Sequence, residues 1–226
     1  MPRVIRLIAI IIVGEYLARH FLLYLFPVIG TLRVNDMLAT GLFYIALVWF
    51  TAPQSSRSMV RVNEALRGVL RHVRSTQSWL GAAAASAAML MVVIDGLLWG
   101  NMRLPFLVSP WRYDLVLLPG FGRILEGISL LAVNGLVVPL SEERLWRGLI
   151  QPQIVNMTGV SRGILATSLL FSVKHTIVDA SLARFLALTA FGFVMGVLAH
   201  RRGWHASAIS HMLANLVATG LSLVYG

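Results

Sequence analysis

Long apolar runs separated by short polar turns set the pattern of this chain. The runs lie at 4–26, 36–52, 79–99, 115–140, 163–177, 182–200 and 204–225. Each is close to the roughly 17 to 25 residues that a helix needs to cross a ~30 Å hydrocarbon core. Strand alternation is absent from them, and a membrane barrel would place polar residues at every second position. The pattern therefore predicts an all-α polytopic transmembrane helical bundle of seven to eight spans, the count depending on whether 140–155 crosses the membrane separately. Pro105, Pro110, Pro119 and Gly120 break the pattern after Trp99, making 100–114 a loop. That loop divides the chain into 1–114, N-terminal transmembrane helices with a basic segment, and 115–226, a helical unit that carries the polar motifs. The alanine-rich stretch 82–88 predicts close helix packing.

Composition removes the soluble alternative, because 58% of residues are apolar and mean hydropathy is +0.78, above the range of a soluble domain. A net charge of +10 in a soluble chain would point to nucleic acid; here its distribution points to lipid. Arg57, Arg61, Arg67, Arg71 and Arg74 share one inter-helix segment with a single acid, Glu64. The positive-inside rule places that segment in the cytoplasm and, with Arg3 and Arg6 two spans earlier, the N-terminus with it. Val62, Leu66, Val69 and Val73 recur there at helical spacing, which fits an amphipathic helix on anionic headgroups or a solvated basic loop. Glu15 and Arg19 follow the first apolar run without a small-residue cleavage site and are spaced to neutralise each other, so this run reads as an uncleaved span. The absence of cysteine excludes disulfides, thiolate zinc sites and a cysteine nucleophile.

Three polar clusters interrupt the apolar C-terminal half: Glu142-Glu143-x-x-x-Arg147, Phe171-x-x-x-His175 and His211-x-x-x-Asn215. Burying such groups in apolar helices costs several kcal/mol unless they satisfy one another, so they are expected to meet around a polar cavity. Pro139 predicts a helix start at Ser141, with that serine as N-cap and both glutamates in the first turn, where the helix dipole favours negative charge. Glu143 and Arg147 are spaced i,i+4 with the acid first, the better orientation for a pair, which leaves Glu142 free to act. Each histidine motif likewise presents one helix face. A turn signal at 156–162 lies midway between Glu142 and His175, so an antiparallel helix pair would bring the two to the same depth.

These three motifs in this order on successive apolar helices, with Trp146-Arg147-Gly148 following the glutamates, resemble the CPBP family of CAAX proteases and bacteriocin-processing enzymes, also called Abi proteins. The resemblance covers 121–225 and implies a CPBP-like catalytic core and an intramembrane endopeptidase acting on a protein or peptide substrate in a bacterial plasma membrane. It implies that Glu142 and His175 activate a water, that His211 and Asn215 donate hydrogen bonds to the oxyanion, and that Glu143 and Arg147 support Glu142, with no cofactor. Activation by a base within hydrogen-bond reach and donors aimed at developing charge are sound chemistry in a dry cavity. A zinc enzyme with Glu142, His175 and His211 as ligands is the alternative mechanism. A bacteriocin-immunity or scaffold protein is the alternative function. A proton-relaying transporter lacks the expected inverted repeat.

Asp179, one turn after His175, is placed to hold that imidazole in one tautomer. Phe171 reads as packing. Lys174, the single lysine, would either snorkel to water or raise the local potential. Asp95, Glu126 and Asn134 call for interhelical partners, and His20, His72, His200 and His205 read as interfacial. Substrate identity and oligomeric state leave no mark in the sequence.

Overall fold

The computed structural model describes residues 2–21, 32–52, 119–179 and 184–225, with Trp79, Gly81 and Ala83. The basic segment, Asp95 and most of the predicted run at 79–99 lie outside the described residues. Everything regular among the described residues is helical: α1 (Pro2–His20), α2 (Leu32–Thr51), α3 (Pro119–Ser129), α4 (Val138–Glu143), α5 (Gln151–Thr158), α6 (Val160–Val178), α7 (Arg184–Arg202) and α8 (Trp204–Tyr225). Two π-helical segments, Leu130–Val137 and Arg144–Ile150, join α3 to α4 and α4 to α5, so that 119–158 is one uninterrupted rod.

This rod corrects the expected helix start at Ser141. Serine 141 is an interior residue of α4 and caps nothing, and 140–155 is continuous with the run before it. The reason lies in the two prolines. A proline inside a helix clashes with the carbonyl four residues back and has no N–H to offer. Each π segment ends two residues before a proline, Pro139 or Pro152, and its wider turn accommodates the ring instead of breaking the helix. The glutamates lie between these two widened stretches.

Among the described residues, three helical stretches are long and apolar enough to cross a membrane: Val34–Thr51, Ile124–Thr158 and Arg184–Arg202. The chain is an integral membrane protein. Helices α1 and α6 have comparable length but carry more charge, Arg3, Arg6, Glu15 and Arg19 in α1 and Arg162 and Lys174 in α6, and α8 is as apolar as α2. Large apolar side chains such as Ile5, Ile10, Leu42, Trp49, Phe50, Ile128 and Leu186 point outward, as a lipid-facing surface requires. One buried cluster runs from Val4, Ile11, Met37, Tyr44 and Leu47 to Leu145, Phe171, Phe191 and Ala214, so α1 and α2 pack into the same core as the C-terminal helices.

The α5–α6 hairpin sets the depth of the site. Gly159 closes α5 with φ +87°, a left-handed conformation that glycine adopts without steric cost, and α6 starts at the next residue. The turn predicted at 156–162 is therefore present. Further along, α6 packs on α7, α8 packs on α4 and on the Leu130–Val137 segment, and α1 packs on both α2 and α6. At the hairpin base a Cβ on Gly163 would lie 2.6 Å from the Val155 Cα and 2.8 Å from its backbone nitrogen. Gly163→Ala must therefore push the two helices apart, and we expect a loss of about 1–3 kcal/mol, the usual range for overpacking, read as a lowered melting temperature in detergent. Gly220→Ala, where an added Cβ meets nothing within 4 Å, should leave the melting temperature unchanged or raise it slightly.

Candidate active site

Helix α4 presents its two adjacent glutamates in different directions, because successive helical residues are rotated by about 100°. Glu142, only 1% exposed, turns toward α1, α2 and α6. Its Oε1 accepts from Lys174 Nζ at 2.5 Å and from the Tyr44 hydroxyl at 2.8 Å, and lies 3.5 Å from His175 Nε2. Its Oε2 is 3.9 Å from His211 Nε2. Lys174 is fully buried and also contacts Glu15 Oε2 at 2.8 Å, while Tyr44 also hydrogen-bonds Glu15. The phenol has one hydrogen and so donates to one carboxylate at a time. Two carboxylates, a phenol and an ammonium thus form a closed polar knot in the apolar bundle.

Glu143 turns the other way, toward α8. It accepts from Ser207 and from His211 Nδ1, the latter at 3.0 Å, and lies 3.6 Å from Arg147 Nε. Both members of that i,i+4 pair are completely buried. Arg147 also donates to the Gly192 carbonyl at 3.1 Å and stacks over Phe171 at 5.1 Å from the ring centroid. Phe171 packs edge-on against Trp146 and His175, and the Lys174 ammonium lies 5.7 Å from its ring centroid. His211 and Asn215 share one face of α8. The Asn215 Nδ2 donates to the Asn134 backbone carbonyl at 2.8 Å, and Asn134 donates through its own side chain to Thr219.

Lys174 Nζ lies 3.2 Å from His175 Nε2. An ammonium only donates, so Nε2 accepts and the ring proton sits on Nδ1, 3.4 Å from Asp179 Oδ2. Asp179 in turn binds Arg19 at 2.7 Å and Arg184 at 2.6 Å. Burial alone would raise its pKa, yet Arg184 and Arg19 outweigh burial and hold the carboxyl well below the usual range. The expected partnership of Asp179 with His175 is present, strengthened by two guanidinium groups.

A cavity of about 360 Å³ opens onto these groups, lined by Glu142, His175, His211 and Asn215 of the three motifs and by Glu15, Arg19, Asp36, Asp179 and Arg184. Glu142, His175, Asp179, His211 and Asn215 are gathered around it, and Glu143 and Arg147 stand behind His211 and Phe171. Among the described residues no group of three His, Asp or Glu side chains is arranged to hold a metal ion.

Several expectations change. Glu15 and Arg19 do not neutralise each other; Glu15 faces Tyr44 and Lys174, while Arg19 bridges Asp36 and Asp179. Lys174 does not snorkel, since two buried carboxylates hold its charge more closely than distant water could. Glu142 is not left free by the Glu143–Arg147 pair, because Lys174 and Tyr44 bind it. Glu15, Tyr44, Lys174 and Ser207 join the site although none is one of the polar residues that define the three motifs. Two of them carried a signal: a lone lysine and an intramembrane glutamate in separate apolar runs are each costly alone, which marks them as partners. Tyr44 and Ser207 carried none, since both residue types are common in apolar helices.

No curated protein and no solved structure matches the chain. Residues 124–217 match the family model described as type II CAAX prenyl endopeptidase Rce1-like, a stretch that contains all three motifs and Lys174 but neither Glu15 nor Tyr44. The CPBP family of CAAX proteases, which the three motifs resemble, is thus the family whose model this part of the chain matches.

Proposed function

We propose that the chain is an intramembrane endopeptidase of the CAAX-protease type, cleaving a membrane-associated, prenylated or leader-bearing protein with water activated by Glu142 and His175. The observation that carries the reading is convergence. Glu142, His175, His211 and Asn215 come from three helices and line one cavity enclosed by apolar helices. The Rce1-like match over the same residues supports it. Arg3, Arg6 and the arginines at 57–74 favour an orientation with the N-terminus in the cytoplasm, and the resemblance to bacteriocin-processing enzymes favours a bacterial plasma membrane.

In this mechanism Glu142 removes a proton as the water oxygen bonds to the scissile carbonyl carbon, and the carbonyl π electrons move onto oxygen. Asn215 Nδ2 keeps one N–H for that oxyanion, the other being bound to Asn134. His211 Nδ1 faces Glu143, so donation from Nε2 calls for the imidazolium form, which lies between the carboxylates of Glu142 and Glu143. Collapse restores the carbonyl and breaks the C–N bond, and the proton returns from the Glu142–His175 pair to the leaving amine. Asp179 keeps the His175 ring in place, and Lys174 fixes the position of Glu142.

Glu142→Gln and His175→Ala should each lower turnover by at least ~10²-fold, the scale of losing a general base, while insertion and folding persist; full activity of either purified variant against a farnesylated peptide ending in a CAAX sequence would end the assignment. A scaffold or immunity role predicts the opposite for Glu142→Gln, namely an unchanged cellular phenotype.

The mechanism needs no ion, so exhaustive chelation should leave activity intact. Stoichiometric zinc with zinc-restorable activity would replace it by the metal reading with Glu142, His175 and His211 as ligands.

Lys174→Met leaves Glu15 and Glu142 facing each other without their shared cation, and we expect about 3–5 kcal/mol of lost stability, as for breaking other buried pairs. Adding Glu15→Gln removes one of the two charges and should recover part of the loss. If Glu15→Gln worsens the Lys174→Met variant, measured by thermal unfolding in detergent, the ammonium does not bridge these carboxylates.

A further inference from the structure

The carbonyl of Asn134 has no backbone donor, and the cause is covalent. In an α turn it would accept from residue 138 and in a π turn from residue 139. The Val138 N–H is engaged by the Val133 carbonyl, and residue 139 is proline, which has no N–H. A carbonyl left open inside the bundle is costly unless another donor reaches it. The Asn215 side chain is that donor: its Nδ2 lies 2.8 Å from the Asn134 oxygen. The Asn134 side chain donates to Thr219 Oγ1 at 3.1 Å, one turn beyond Asn215 on α8, which ties the same segment to the same helix a second time. The Asn215 Oδ1 is buried and has no partner.

A primary amide is nearly the same shape in both flipped orientations, so packing alone cannot choose between presenting nitrogen or oxygen. An acceptor can. With the Asn134 carbonyl open, the flipped form would set two oxygens against each other, so nitrogen stays and its second N–H is left over. We infer that Pro139 is a positioning residue: by withholding an N–H from the Asn134 carbonyl it fixes which way the Asn215 amide faces and so makes Asn215 a donor to the cavity. This rests on the proposed role of Asn215 in the oxyanion site, and it assigns a function to the proline that sits three residues before Glu142.

Restoring the missing N–H tests it. In Pro139→Ala the new amide can take the Asn134 carbonyl in competition with Asn215. Three variants in purified protein are compared with wild type: Pro139→Ala, Asn215→Ala and both together. Stability and cleavage of a farnesylated CAAX peptide are both read. Asn215→Ala alone should lower the melting temperature by roughly 2–4 °C, the shift for one buried hydrogen bond in a chain of this size. In the Pro139→Ala background it should lower it far less, because the bond is already displaced. Pro139→Ala should also reduce kcat by up to ~10²-fold, toward the cost of one lost oxyanion donor, with KM nearly unchanged, and the double variant should be no slower than Asn215→Ala.

Asn215→Asp provides a second arm that does not require the alanine variants to fold well. Its carboxylate confronts the Asn134 carbonyl, and Pro139→Ala should raise its melting temperature by giving that carbonyl a donor. Additive melting shifts, or an Asn215→Asp penalty untouched by Pro139→Ala, would overturn the inference even if Asn215 proves essential for cleavage. Wild-type kcat in Asn215→Ala together with coupled melting shifts would instead overturn the oxyanion role and leave the Pro139–Asn134–Asn215 linkage standing.

Discussion

The contact on which the rest of the structure depends is the Lys174 ammonium lodged between Glu15 and Glu142. An isolated charge at bilayer depth costs several kcal/mol, and Lys174 is the single lysine in the chain, completely buried. Only two carboxylates at bonding distance can hold it there, and one of them comes from α1. The N-terminal helices therefore have a structural duty that their lack of any recognised motif conceals. Through Glu15 and Tyr44 they close the polar knot, and through Arg19 they reach Asp179 at the end of α6. Helix α6 is thus held at two heights by α1, once by Lys174 and once by Asp179, with His175 between them.

The glutamate pair works because helical geometry separates neighbours. Glu142 and Glu143 are adjacent in sequence, yet each has its own cation, Lys174 for the first and Arg147 for the second; His175 faces the first alone and His211 lies between the two. Like charges side by side would otherwise compete for the same counter-ions in a medium that screens poorly. Phe171 fills the space between the two sets, touching both histidine rings and the Arg147 guanidinium. The apolar residue of the second motif thus sits between the two cations, with both over its ring.

The parts of this arrangement that were legible in the sequence are those governed by period and spacing. The i,i+4 intervals placed Glu143 against Arg147 and His175 beside Asp179, and the turn at 156–162 brought Glu142 level with His175. The apolar runs gave the helices themselves. Contacts that join distant helices were not legible. Glu15 stood four residues from Arg19, and the local rule for such pairs pointed to the wrong partner, because it ignores the stronger attraction of Asp36, Asp179 and Lys174 arriving from other helices. Pro139 misled for a related reason: read alone, a proline ends a helix, but packing on both sides of it, against α8 and α2, favours keeping the rod intact and widening one turn.

That widening explains why a membrane helix should carry its proposed base beside a proline. An interior carbonyl of an unbroken α-helix already accepts one backbone N–H, so a side-chain donor such as Arg147 on Gly192 meets only a shared acceptor. A π turn followed by proline releases such a carbonyl, at the level of the cavity, without opening a loop that lipid could not solvate. The Asn134 carbonyl is released in this way and used at once by α8, which packs against the same segment. The two helices that supply the histidines, α6 and α8, both pack against α7 and against the 119–158 rod. Helix α8 is as apolar as α2 although it bears His211 and Asn215. The polar side chains of the site therefore meet across helix–helix contacts, where each group offsets its partner's cost of burial.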